Sequence, residues 1–273
     1  MHTQPGRFDP WRTDHQPDEE RLREMAQRIE LRGAAPEEIA ARQAYLDLLH
    51  IHAGQRVLDV GCGTGVVTRD IARRLKPNGE VLGIDPNPHL LKVARELAPP
   101  DLPIELRRGD ATNLAIPDET FDTVVCITVL EHMVDPHRAI PELVRATRPG
   151  GRVGILCGDQ ESFIVNHPDR ELTRHIVANF VDVQFASPWV GRDVARLLEQ
   201  HGMHDVRVRG FATLDRDPTR FAFRAAQLRA EVVANAGVIS NEQQERWLRQ
   251  LTAEPGSFLA GATYIFTWGT RPA

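Results

Sequence analysis

Hydrophobic positions change period along this chain in a regular way. Residues 17–31 carry apolar side chains at helical spacing (Leu22, Met25, Ile29). Gly33 is expected to end that helix, and Pro36 suits the first turn of a second helix running to about residue 50. At Arg56 the pattern becomes a short continuous run, Val57, Leu58 and Val60, as expected for a strand buried on both faces. Helical spacing resumes with Val66, Val67, Ile71, Ala72 and Leu75. The alternation then repeats. Strands are predicted over 80–84, 104–106, 121–129 and 152–156, and helices over 64–75, 88–98 and 135–147. Strands and helices alternating at such short spacing imply right-handed crossovers and a doubly wound parallel sheet, an α/β fold.

The rhythm breaks after Cys157. Residues 158–187 are polar with scattered aromatics, a pattern that predicts an irregular segment. A helix follows over 190–201, a strand over 205–214, helices within 218–252 and a last strand over 263–268. The organisation expected is a tail and helical cap over 1–50, a core over 51–158, and an irregular cap segment over 159–189. The remainder of the sheet, 190–273, carries a helical insertion at 218–252. Phe8 and Trp11, in the polar leading stretch, are candidates to dock on the body.

Between the first strand and its helix stand Gly61, Gly63 and Gly65. Glycine at alternate positions lets a ligand approach the backbone, and free amides at the helix start favour an anionic group. This is a nucleotide-type cradle. A dinucleotide fingerprint places its third glycine one residue later, which argues against an NAD-dependent oxidoreductase. Acids stand at the ends of later strands. Asp85 lies about 20 residues beyond the glycines, where a carboxylate can take both ribose hydroxyls, although it is also suited to cap the next helix.

Five stretches in order resemble the motifs of class I S-adenosylmethionine-dependent methyltransferases: Leu58–Gly65, Gly83–Pro86, Gly109–Ala111, Phe121–His132 and Arg148–Gly151. The resemblance is close over about 45–160 and holds elsewhere in outline. It implies a Rossmann-like seven-stranded sheet whose last strand runs antiparallel between the fifth and sixth, with helical caps at both ends. It implies S-adenosylmethionine as cofactor. Gly61, Cys62 and Gly63 would lie against its methionine end, with Asp59 assisting its amino group. Asp85 would hold the ribose, Asp110 and Ala111 would meet the adenine beside Pro86 and Leu106, and the backbone of Ile127 and Thr128 would run alongside. His132 follows the fourth strand, where donor and acceptor should meet, and is the candidate general base, with a purely structural role as its alternative. His167, His175 and Asp159, in the irregular segment, are weaker candidates to face substrate.

Charge and cysteine content narrow the partners. The formal net charge is -5, from 33 basic and 38 acidic residues, which gives no electrostatic footprint for nucleic acid. Cys62, Cys126 and Cys157 lack metal-ligand spacing and read as small buried thiols in a reducing cytoplasm. No acidic pattern suggests a metal, and no apolar run is long enough to cross a membrane. The chain is similar to quinone-biosynthesis and natural-product methyltransferases, and the expected activity is methyl transfer to an oxygen, nitrogen or carbon of a small molecule. A protein that binds the cofactor without transferring methyl is the alternative.

Overall fold

The computed structural model describes residue 9, residue 11 and residues 18–273; Phe8 lies outside them. Seven strands form one sheet: β1 (Arg56–Val60), β2 (Glu80–Asp85), β3 (Ile104–Arg108), β4 (Phe121–Ile127), β5 (Thr147–Val165), β6 (His204–Asp215) and β7 (Ala260–Thr270). Their order is β3-β2-β1-β4-β5-β7-β6. Strands β1 to β5 pair in parallel, while β7 is antiparallel to both β5 and β6. The expected sheet, with its antiparallel last strand, is therefore present.

Period-2 alternation divides the core between the two faces of the sheet. Leu58, Val124 and Cys126 pack with Ile140 and Leu143 of α5 (Ala139–Ala146) and with Leu197 and Leu198 of α7 (Val194–Gln200). Val57, Val125 and Ile127 face the other way. They meet Ile71 and Leu75 of α3 (Val66–Leu75) and Tyr45 and Leu46 of α2 (Pro36–Leu48). All seven residues of β4 are buried, Asp122 and Thr123 included, as expected for the most apolar strand at the sheet centre. The order of connection reverses between β1 and β4. Their carboxyl ends therefore open a crevice, the place where ligands bind in open parallel sheets.

Two departures shape that crevice. The first is α1 (Glu19–Ala34), which runs through Gly33 instead of stopping there. A Cβ at Gly33 would stand 2.7 Å from Val66 Cγ1, so this glycine allows α1 to lie against the start of α3. It is a packing glycine, not a helix stop. The second concerns 159–189. The scattered aromatics predict an irregular segment there, but β5 continues to Val165 and α6 spans Arg170–Gln184. Leu172, Ile176, Phe180 and Val183 of α6 pack on Ala226 and Ala230 of α8 (Phe221–Asn235) and on Trp247 of α9 (Asn241–Leu251). Their i, i+4 and i, i+3 spacing is helical, and polar neighbours obscure it. This third cluster gives the cap a core of its own.

Candidate active site

The carboxyl ends of β1, β2 and β4 open on a cavity of about 1050 Å³, roofed by Met25, Ile29 and Arg32 of α1, Phe180 and Gln184 of α6, and Ala225 and Leu228 of α8. Asp59, Gly61, Cys62, Gly63, Asp85, Pro86, Asp110, Ala111, Ile127, Thr128 and His132 all line it. Leu106 is not among its lining residues, and its side chain packs where a Cβ on Gly83 would otherwise stand, 2.8 Å away.

The glycine turn is left-handed at three points, with φ of 76° at Gly61, 54° at Gly63 and 80° at Gly65. Gly61 is the most constrained, because a Cβ there would lie 2.2 Å from Val129 Cγ2. The Gly61 and Cys62 amides both donate to the Ile84 carbonyl, at 2.7 and 3.0 Å, which ties the turn to β2. No side chain caps the first turn of α3.

Two acids stand behind this turn. Asp59 is 1% exposed and accepts the Thr68 hydroxyl at 2.6 Å. Burial pushes its carboxyl up to about 7; the Thr68 bond opposes this and the nearby Asp85 reinforces it. Asp85 accepts the Gly63 amide at 2.9 Å on one oxygen and the Asn87 amide at 2.8 Å on the other. Burial raises it to about 6 against those two bonds. The cap of α4 (Pro88–Leu97) is Asn87, which accepts the His89 and Leu90 amides, so Asp85 is not the helix cap. Asp110 is exposed and bends its own turn, one oxygen accepting both the amide and the hydroxyl of Thr112.

Beyond β4, Thr128 adopts φ of 55°, unusual for a β-branched residue, and accepts from Arg32 Nη2 at 3.1 Å. A short 3-10 turn, Leu130–His132, follows. His132 Nδ1 stands 2.8 Å from Asp9 Oδ2, and the second oxygen of Asp9 accepts the Trp11 amide at 2.9 Å. The Asp9 side chain is fully buried and the imidazole lies between Trp11 and Phe185, with centroids 5.9 and 5.2 Å away. An ionised carboxylate can only accept, so in the neutral ring the contact with Asp9 favours the tautomer that carries its proton on Nδ1 and leaves the Nε2 lone pair free.

The other two candidate histidines do not line the cavity. His167 is buried against Trp247, with both ring nitrogens bonded to backbone, and His175 is exposed beside Asn179. Asp159 pairs with Arg192. Asp9 could not be read from the sequence, because no periodic segment marks it; only the docking of Trp11 hinted that the leading stretch reaches the body. Arg229 and Gln160 on the cavity wall carry no sequence signal either, since a single arginine in a helix ordinarily faces solvent.

The family model for the methyltransferase domain matches residues 58–155. The demethylmenaquinone methyltransferase of Lactobacillus johnsonii is 30% identical over 183 residues, covering 60% of this chain and 74% of that protein. The chain belongs to the class I S-adenosylmethionine-dependent methyltransferases. The methyltransferase is also 30% identical over 240 residues to an uncharacterized 37.1 kDa protein in transposon TN4556 of Streptomyces fradiae, covering 85% of this chain and 67% of that one. In fold it is similar to the YcgJ protein of Bacillus subtilis, with a TM-score of 0.58 and 15% identity over 86% of this chain and 99% of that chain. The dinucleotide reading falls.

The residues of the methyltransferase suit its cofactor. S-adenosylmethionine brings an ammonium group and two ribose hydroxyls. The turn offers a cradle that a Cβ at Gly61 would fill, and the two carboxyls behind it are both raised by burial. Among the described residues, no helix is long and apolar enough to cross a membrane.

Proposed function

We propose that this methyltransferase acts on a hydroxyl or amine of a small molecule held in the cavity, with His132 as the base that takes the acceptor's proton. The observation that carries the reading is the His132–Asp9 pair on the cavity wall. The volume supports it. Single-ligand pockets run to roughly 1,000 Å³, so about 1050 Å³ behind a roof of three helices suits a cofactor and a small partner better than a polymer strand.

Asp85 holds the ribose hydroxyls and Asp59 the amino group. The Gly61–Cys62–Gly63 turn and the backbone of Ile127 and Thr128 flank the methionine end, while Pro86, Asp110 and Ala111 meet the adenine. Bound S-adenosylmethionine supplies a methyl group already activated on a sulfonium, so the chain's work is alignment, exclusion of water and removal of a proton. Phe180 and Phe185 shape an apolar wall for the acceptor. Asp9 fixes the tautomer of His132 and stabilises the imidazolium that forms as the proton arrives.

Incubation with labelled S-adenosylmethionine and a panel of hydroxylated and aminated small molecules tests the reading, with S-adenosylhomocysteine formation as the measure. His132→Ala should lower turnover by about 10²-fold or more. Asp9→Asn exchanges a charge-assisted bond for a neutral one, a loss of about 1–2 kcal/mol or roughly 5- to 30-fold in rate. In the His132→Ala background, Asp9→Asn should change nothing further. Full turnover in a His132→Ala variant that still binds S-adenosylhomocysteine would remove His132 as the base. Tight cofactor binding with no transfer to any acceptor would favour a protein that binds the cofactor for another purpose.

A further inference from the structure

Arg229 of α8 lines the cavity, yet it is 4% exposed and has no counter-ion among the described residues. Its Nη1 donates to the Ala225 carbonyl at 2.9 Å and its Nη2 to Gln160 Oε1 at 2.8 Å, both neutral acceptors. Its Nε is buried with no hydrogen-bond partner. The guanidinium lies 3.4 Å from the Phe163 ring centroid and 4.6 Å from that of Phe180. Aromatic faces attract a cation but accept none of its in-plane N–H groups.

Half-buried Arg28, also on the cavity wall, is pushed down by burial as well, to about 10, but Asp9 and Glu24 stand near it. Arg42, the other buried arginine among the described residues, and half-buried Arg32 differ more. Arg42 pairs with Asp70 at 2.6 Å. Around Arg32, burial is outweighed by Tyr264, Glu38, Tyr45 and Glu131, and the net effect favours its charge. Arg229 has only Tyr264 nearby, and burial pushes it down to about 9. A buried cation without an anion is costly, and the cavity is where an anion can arrive.

The position of Arg229 relative to His132 sets the rest. Phe185 stands 5.2 Å from His132, Phe180 stands 5.7 Å from Phe185, and Arg229 lies over Phe180. These contacts form one continuous wall with a base at one end and an unpaired guanidinium at the other.

We infer that the acceptor is an apolar acid: a molecule with a carboxylate or phosphate bound by Arg229 and Gln160, an apolar body along Phe180 and Phe185, and its methylated atom at His132. This rests on the cavity being the acceptor pocket, as proposed above. Arg229 is then a specificity residue that offers a planar fork of donors to an oxyanion.

Calorimetry on the protein saturated with S-adenosylhomocysteine tests this with three probes: hydrocinnamate, its uncharged amide, and benzyl phosphate. The two acids separate a carboxylate site from a phosphate site. At least one acid should bind about tenfold or more tightly than the amide, the equivalent of one charge-assisted contact. Arg229→Met should abolish that preference and Arg229→Lys should keep part of it, with S-adenosylhomocysteine affinity unchanged in both. Intermolecular NOEs in the wild-type complex should join the acid end of the probe to Phe163 or Phe180, which keeps the test decisive if Arg229→Met fails to fold. Equal binding of acid and amide, an acid Kd weaker than about 1 mM, a preference that survives Arg229→Met, or NOEs confined to other residues would each overturn the inference. In those cases retained S-adenosylhomocysteine binding leaves the small-molecule reading standing. Loss of that binding in the wild-type protein would instead remove the reading itself.

Discussion

The ligand-free protein should lose stability as the pH rises from 4 to 7, and Asp59 should be the largest single cause. Its carboxyl is ordinary in the unfolded chain, at 3.8, and is raised to about 7 by burial in the folded one. Between those values the native state keeps a proton that the unfolded state has lost, so every step up in pH favours unfolding. Above about 7 both states are ionised and the loss levels off. Below about 4 both are neutral and the effect is absent. Each tenfold gap between the two acid constants corresponds to about 1.36 kcal/mol, so Asp59 accounts for about 4 kcal/mol across the window. Asp85, raised to about 6, adds a smaller contribution of the same sign. Asp59→Asn isolates the effect, because an amide oxygen can still accept the Thr68 hydroxyl. Between pH 5 and pH 8 only the part of the window above pH 5 is crossed, so urea unfolding at these two values should show Asp59→Asn gaining on the wild type by about 3 kcal/mol. Saturating S-adenosylhomocysteine should narrow the gap, since its ammonium group supplies the missing counter-charge. Parallel curves for the two proteins from pH 4 to pH 8 would refute an acid held protonated behind the glycine turn.

Two substitutions probe the same turn. Asp85→Ala should weaken S-adenosylhomocysteine binding by about 1–3 kcal/mol, the cost of stranding hydrogen-bonding groups; unchanged calorimetric affinity would leave Asp85 as a brace for the Gly63 and Asn87 amides alone. Gly61→Ala should destabilise the fold by about 1–3 kcal/mol, because its φ is 76° and its Cβ would press on Val129. Val129→Ala in that background should return the steric part and not the conformational part. Full stability of Gly61→Ala in a denaturant titration would show that the turn is looser than its geometry.

What the residues reveal in advance depends on whether local periodicity expresses it. β1, its glycines and the acids closing β1 and β2 are legible because strand, turn and helix are each specified by near neighbours. The placement of β7 followed from family resemblance and not from hydropathy, since an antiparallel strand there reads like any other. The course of α1 past Gly33 is legible only once α3 is known to lie against it. Asp9 and His132 are 123 positions apart and meet through tertiary packing alone. Arg229 is the limiting case. Its neighbours Ala226, Ala230 and Val233 are core residues, but only the fold reveals that the helix face carrying the arginine overlooks a cavity.

Trp11, finally, makes the chain its own optical reporter. Of its four tryptophans, Trp189 is half exposed under Arg192, Trp247 is buried beside His167, and Trp268 stacks on Phe266. Trp11 is the one on the cavity wall, with the Arg28 guanidinium 5.3 Å over its ring and His132 at its edge. A fluorescence change on ligand binding that disappears in Trp11→Phe would therefore report the filling of the pocket itself. The order and rate of loading then become readable in a stopped-flow instrument without any label.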